Sequence, residues 1–311
     1  MLVYDPLYGE QRITDHILVD IMHTKAMQRL KGVAQFGMPD EWYHIKGGFS
    51  RYEHSIGVML LLDRLNSSLK ERVAGLLHDV SHTAFSHVVD WVYGSEAEED
   101  FQDRIFSKFI DSPVIRNILK MYGYDSADFH DLRRFTLLEQ ELPELCADRM
   151  DYFLRELKMM GRDVEVEQFL HALVNVDRRM YVRDEKSAIA IAKAFNKMQK
   201  DHWGSLQARN RYRILADILI LAKDENIINF DDLLTEDRLV MEKLRNSKNK
   251  EILAGIKKLE NGKFEIDENL GKKLRYLDPL YFTERRIIKR LSLTNFEFAE
   301  ELDKLKNENS E

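Results

Sequence analysis

Between His78 and Asp90 the chain places three histidines and two aspartates in 13 residues: His78, Asp79, His82, His87 and Asp90, at the end of an apolar run. Imidazole and carboxylate together suit a borderline divalent cation such as Zn, Mn or Fe. Adjacent His78 and Asp79 can reach one ion only if the backbone bends there. Taken singly, a buried His or Asp more often satisfies a hydrogen bond than holds a metal, so the weight falls on what accompanies them. Upstream, Arg51 and His54 are three residues apart and share a helical face. A guanidinium beside a ligating imidazole can fork onto a phosphate; an ion pair of Arg51 with Glu53 is the plainer alternative. Downstream, Asp148, Tyr152 and Arg155 follow at i, i+4 and i+7, which puts a carboxylate, a phenol and a guanidinium on one face. Such a face can ligate metal at one end and hold an anion beyond it, or simply be a solvated ion-pair pattern. Cys146 has no activating partner and reads as a packed side chain.

Helical periodicity dominates the elements that must position these groups. Leu18, Ile21, Met22, Met27 and Leu30 mark a first helix entered at Thr14-Asp15. A loop follows from Phe36-Gly37-Met38-Pro39 to Gly47-Gly48. Further helices are expected over Ser50–Leu62, Ser68–Val80, Glu96–Ile110, Glu144–Lys158, Glu185–Gln199 and Leu206–Ala222. Short β-like pieces occur at Met180–Val182 and Leu274–Leu277, and the charged end from Asn295 is expected to fray.

The 311 residues suffice for a full core, and 44% hydrophobic with 32% charged residues excludes a disordered chain. Fourteen Gly and five Pro favour long helices over many tight turns. No apolar stretch is long enough to span a bilayer, and the N-terminus lacks the pattern of a secretory signal. One cysteine excludes an internal disulfide and fits a reducing compartment, so a cytoplasmic protein is expected. The net charge of −7 argues against broad nucleic-acid binding.

The order Arg51-x-x-His54, His78-Asp79, Asp148 resembles the HD-domain superfamily of metal-dependent phosphohydrolases, and more narrowly its deoxynucleoside triphosphate triphosphohydrolase branch. Three phrases carry the likeness: Arg-Tyr-Glu-His-Ser-Ile-Gly-Val (51–58), Leu-Leu-His-Asp-Val-Ser-His-Thr-Ala-Phe-Ser-His (76–87) and Ala-Asp-Arg-Met-Asp-Tyr-Phe (147–153). Asp5-Pro6-Leu7-Tyr8-Gly9, Met27-Gln28-Arg29-Leu30 and Gln35-Phe36-Gly37 are similar to that branch as well. The likeness is specific over residues 1–160 and looser through Asp278-Pro279.

It implies an all-α HD-domain fold, with a catalytic core over 1–160, a C-terminal helical extension over 161–311 packed on it as one continuous domain, and room for a small β-element. The implied ligands of one divalent ion (Mn, Fe, Zn, Ni or Mg) are His54, His78, Asp79 and Asp148. His82, His87 and Asp90 take the catalytic positions. Arg51, Gln35, Arg149 and Tyr152 take substrate positions, and Arg155 joins them from its place on the same helical face. A nucleotide substrate, no membrane partner and a homo-oligomer follow from the same likeness. One departure stands out: related triphosphohydrolases carry another histidine some twenty residues past the His-Asp pair, where this chain reads Glu-Glu-Asp-Phe-Gln-Asp-Arg-Ile-Phe from Glu98, with Gln102 nearby. The expected activity is release of nucleoside and tripolyphosphate from deoxynucleoside triphosphates. Alternatives are a nucleoside mono- or diphosphate phosphatase, a cyclic-nucleotide phosphodiesterase, and a non-catalytic nucleotide sensor. The likeness of His78-Asp79-x-x-His82 to the His-Glu-x-x-His of zinc proteases fails, because Asp is one methylene short and His54 and Asp148 go unused.

Overall fold

A computed structural model describes residues 1–39, 42, 48–94, 99–271 and 273–307. In chain order, a hairpin of β1 (Leu2–Asp5) and β2 (Gly9–Arg12) leads to α1 (His16–Met22), α2 (Lys25–Arg29), α3 (Arg51–Arg64), α4 (Leu69–Leu77), α5 (Val88–Val92), α6 (Phe101–Ile110) and α7 (Pro113–Met121). Next come α8 (Ala147–Met159), α9 (Asp163–Ala172), β3 (Leu173–Val176), β4 (Arg179–Val182), α10 (Glu185–Met198) and α11 (Leu206–Asp224). The chain closes with α12 (Phe230–Leu233), α13 (Asp237–Asn246), α14 (Lys250–Asn261), β5 (Leu280–Phe282), β6 (Ile288–Arg290) and α15 (Phe296–Asn307).

The molecule is mostly helical, but β3-β4-β5-β6 form a four-stranded sheet, so the expectation of an all-α chain needs that correction. β3 and β4 are joined by Asp177-Arg178, both left-handed (φ 50° and 61°), the two-residue turn whose twist matches paired strands. β4 meets β5 in parallel at Val182↔Tyr281, and β5 pairs antiparallel with β6. The extended piece expected at Leu274–Leu277 lies just before β5 and pairs in no ladder. The first helix is two: Thr24 turns its hydroxyl onto Met27 N–H and starts α2 afresh. The start of the helix expected at Glu96, most of the loop through Gly47 and the last four residues lie outside the described residues.

Two compact units emerge. Unit 1 comprises Met1–Ile56, Leu76–Asp131 and Leu206–Gly271; unit 2 comprises Gly57–Gly75, Leu132–Ser205 and Lys272–Glu311. In unit 1, α11 is the central element, packing Leu215 and Leu219 against Phe85, Val88 and Val89 on one side and Ile252 and Ile256 of α14 on the other. Asp237, at the start of α13, accepts Phe85 N–H on Oδ1 and Ala34 N–H on Oδ2, both near 2.9 Å. That carboxylate straps together two loops that flank the histidine-rich segment. Phe85 and Ser86 both sit at positive φ (63° and 46°), a conformation that disfavours side chains and persists only when the surroundings enforce it. Gly37 closes against them: a Cβ there would lie 2.7 Å from the Phe85 carbonyl oxygen, and its own φ is +68°.

In unit 2, α8 buries Phe153 between Phe169 of α9 and Phe195 of α10. Its Asp151 and Arg155 form an ion pair at 2.7 Å, sealed from water. Gly57, in the α3 stretch that belongs to this unit, lies directly over that pair, and a methyl group there would overlap both charged ends. Gly57→Ala is therefore expected to lower stability by about 3 kcal/mol or more, since a disrupted buried ion pair leaves charge unpaired. Denaturant unfolding reads this, and a change under 1 kcal/mol would show that the pair has room to shift.

Candidate active site

α4 stops at Leu77, so His78 and Asp79 fall in the turn after it rather than in a helix running to Val80. The turn closes with Val80 N–H on the Leu77 carbonyl and His82 N–H on the Asp79 carbonyl. This is the bend that lets neighbouring side chains converge. His54, on the first turns of α3, meets His78 with their Nε2 atoms 3.2 Å apart and ring planes at 74°. Asp79 lies beside both: its Oδ2 is 3.8 Å from His54 Nε2, and its Oδ1 is 3.5 Å from His78 Nε2 and 3.2 Å from His82 Nε2. All four are buried. Two imidazole nitrogens aimed at one another beside a carboxylate form a donor set that fits a divalent cation, whose charge such a cluster would neutralise. Among the described residues His54, His78 and Asp148 are candidate metal-binding residues.

Arg51 completes this half of the site. Its Nη1 donates to Asp79 Oδ2 at 2.8 Å, its Nε to Ser86 Oγ at 3.1 Å and its Nη2 to the Gln35 carbonyl at 3.4 Å. Burial alone would raise the Asp79 pKa, but Arg51 together with His78 and His82 outweighs it and holds the carboxyl well below the usual range. His82 moves the other way, down to about 3: burial disfavours the imidazolium and Arg51 repels it, while Asp79 only partly restores it. His87 stacks edge-on to His82 at 5.0 Å and takes its orientation from Asp90, with Nδ1 2.9 Å from Oδ2. Gln35 holds its side-chain oxygen buried without a hydrogen-bond partner among the described residues. Gln102 reaches the same turn, accepting the Ser81 hydroxyl at 2.8 Å.

The downstream candidates lie in unit 2, on α8. Asp148 is in its first turn, half-buried, and offers an oxygen within 4.8 Å of ligand atoms of Glu139 and Cys146. Tyr152 stands one turn on, its hydroxyl pushed up in pKa by burial against the pull of Arg149 and Arg275. Arg149 turns back onto the preceding loop, donating to the Glu144 and Gln140 carbonyls and to Cys146 Sγ. Arg155 belongs to Asp151. The i, i+7 spacing from Asp148 is real, yet the guanidinium faces the unit's own buried carboxylate. The Cys146 thiol is buried and raised to about 12, as suits packing rather than nucleophilic attack. Sequence reasoning missed Ser86, which accepts from Arg51, Asp237, which fastens the Phe85 and Ala34 backbone, and Arg275 and Trp203 beside Tyr152. A serine at positive φ and a partner 152 residues away leave no local signal.

With this geometry in view, comparison with known proteins is informative. The family described as HD domain matches residues 51–156. The uncharacterized protein YdhJ of Bacillus subtilis is 38% identical over 93% of this chain and 91% of its own length. The metal-dependent phosphohydrolase cns2 of Cordyceps militaris is 29% identical over 90% and 84%. The deoxynucleoside triphosphate triphosphohydrolase SAMHD1 homolog of Dictyostelium discoideum is 29% identical over 52% of this chain and 37% of its own.

One further acid lies two turns past Asp148. Glu156 is buried, accepts the Trp203 indole N–H on Oε1 at 2.8 Å, and has no partner for Oε2 among the described residues. Burial pushes its carboxyl from 4.5 up to about 8, the indole N–H offsetting only part of that. Between those values the folded chain keeps a proton that the unfolded chain has released, so this group's contribution to stability falls as pH rises from about 4.5 to about 8. The full swing is of order 5 kcal/mol. Glu156→Gln should match the parent near pH 5 and exceed it increasingly toward pH 8 in denaturant midpoint; a constant difference would mean that Glu156 titrates as an exposed acid does.

Proposed function

The chain belongs to the HD-domain superfamily of metal-dependent phosphohydrolases, and on that premise we propose that it hydrolyses the phosphate ester or anhydride bonds of nucleotides, with deoxynucleoside triphosphates as first substrate. The observation that carries this reading is the convergence of His54, His78 and Asp79 on one buried junction with Arg51 alongside. Asp148 is the fourth ligand in the proposal, on the strength of the motif. A divalent cation held there supplies Lewis acidity and lowers the pKa of a water molecule toward neutrality.

The chain's own residues do the rest. Arg51, anchored through Nη1 and Nε, can exchange the long Nη2 bond to the Gln35 carbonyl for one to a phosphate oxygen as charge accumulates. His82, packed on His87, holds its Nε2 3.2 Å from Asp79 Oδ1, and its one N–H can pass to a leaving or non-bridging oxygen once Asp79 turns to the cation. Asp90 fixes the His87 ring for the same phosphates. The unpaired Gln35 oxygen is suited to accept a sugar hydroxyl, and Tyr152 to pack on the sugar. Arg149 and Arg155 stand at the margin of the substrate set in this reading, since Arg149 donates to the Glu144 and Gln140 carbonyls and Arg155 Nε to Asp151. In triphosphohydrolysis water adds to the α-phosphorus, the bond from phosphorus to the 5′ oxygen breaks, and that oxygen leaves protonated as nucleoside. The likeness to the SAMHD1 homolog supports this choice.

A second reading, phosphatase action on nucleoside mono- or diphosphates, is favoured by Gln102. It occupies the turn by Ser81 where related triphosphohydrolases are expected to bring a titratable histidine.

Purified chain is expected to convert deoxynucleoside triphosphates to nucleoside and tripolyphosphate with Mn²⁺, resolved by ion-exchange chromatography against Fe²⁺, Zn²⁺, Ni²⁺ and Mg²⁺. Orthophosphate from mono- or diphosphates instead would establish the second reading, and no turnover with any metal would remove both. Asp148→Ala should lose most bound metal by elemental analysis. His82→Ala should keep the metal and slow turnover by roughly 10²–10⁴-fold; an undiminished rate would make His82 structural.

A further inference from the structure

We infer that Trp203 is the specificity-determining residue of an aromatic recognition face on unit 2, where its indole and the Tyr152 ring receive the base and sugar of a nucleotide and Glu156 acts as the positioning residue; this rests on the nucleotide reading above. α10 ends in a π-helical stretch, Gln199–Trp203, with Gly204 after it. The wider π turn is uncommon and tends to occur where a side chain must be re-aimed for function. Here it brings Trp203 against α8, its ring 5.2 Å from Tyr152 at 82° and 5.0 Å from Phe195 at 64°.

The layering separates recognition from core. Phe153 and Phe195 behind are fully buried, whereas Tyr152 and Trp203 in front are only half-buried. Tyr152 follows Asp148 by one helical turn, which puts the aromatic pair beside the carboxylate proposed as a ligand. The indole cannot swing freely, because its N–H is held by Glu156 at 2.8 Å. The π turn is tied down separately: Gln199 donates to the Lys273 carbonyl, and Leu277 N–H to Asn196 Oδ1. Those bonds lay the segment carrying Arg275 alongside, and its guanidinium acts on the Tyr152 hydroxyl. An indole, a phenol and a guanidinium together match the flat, weakly polar face of a base joined to a hydroxylated sugar.

The test uses the full chain and its tryptophan emission, with dATP as probe and tripolyphosphate as a probe that carries no base. dATP is expected to quench emission and tripolyphosphate not to. Trp203→Phe should abolish the quench while Trp42 and Trp91 still emit. Trp203→Ala should weaken dATP binding about tenfold or more, with tripolyphosphate binding within about twofold of the parent. If the alanine variant does not fold, the phenylalanine variant decides alone. Glu156→Gln, which keeps an acceptor for the indole, should retain the quench; Glu156→Leu should lose it. A quench that survives in Trp203→Phe, or no quench in the parent chain, overturns the inference. Trp203-dependent quenching without turnover of any nucleotide would refute the hydrolase reading and leave the recognition face standing. Turnover with an unchanged KM in Trp203→Ala would do the reverse.

Discussion

A guanidinium and a carboxylate sealed from water hold unit 1 in working order. The Arg51–Asp79 contact is 2.8 Å long, and each side chain is only 4% exposed. Removing either ion from water is expensive, and a lone Asp79 would relieve that cost by taking up a proton. Arg51 keeps it ionised, which makes Asp79 usable as a ligand and fixes the neighbouring imidazoles. The remaining edges of the guanidinium fix Ser86 and the Gln35 loop in turn. Left-handed backbone at Phe85 and Ser86, the close approach of Gly37 and the two bonds of Asp237 all shape the loop that brings the Ser86 hydroxyl to Arg51.

The chemistry of this half was legible because ligand types are rare and their spacing local. His54 shares a helical face with Arg51, and His78 and Asp79 abut. The bend that lets them converge was legible only as a requirement, and its physical form is the end of α4 at Leu77. On α8 the same reasoning reached its limit. Helical spacing shows which residues share a face, not what that face meets, and Arg155 meets Asp151 one turn back. Arg149 meets the same limit, since the loop carbonyls it donates to carry no signature in the side chains.

Long-range features were the least legible. The strand that joins β4 is Leu280–Phe282 and not the expected Leu274–Leu277, because pairing is decided by what lies opposite. The break between α1 and α2 was visible in Thr24 as a capping type, yet the apolar stripe ran through it unbroken. Trp203 offered nothing beyond its size: its place depends on a π turn, and its orientation on Glu156, 47 residues earlier.

The Asp237 strap bears on how the molecule is made. His54, His78, Asp79 and His82 are all encoded before residue 90, but the carboxylate that clamps Phe85 and Ala34 emerges 152 residues after Phe85. At ribosomal rates of about 5–20 residues per second, the nascent histidine cluster waits on the order of ten to thirty seconds for its clamp. Through that interval the second segment of unit 2, Leu132–Ser205, is synthesised. A chain stalled or cut before α13 would hold all of these unit 1 side chains with two of its loops unfastened.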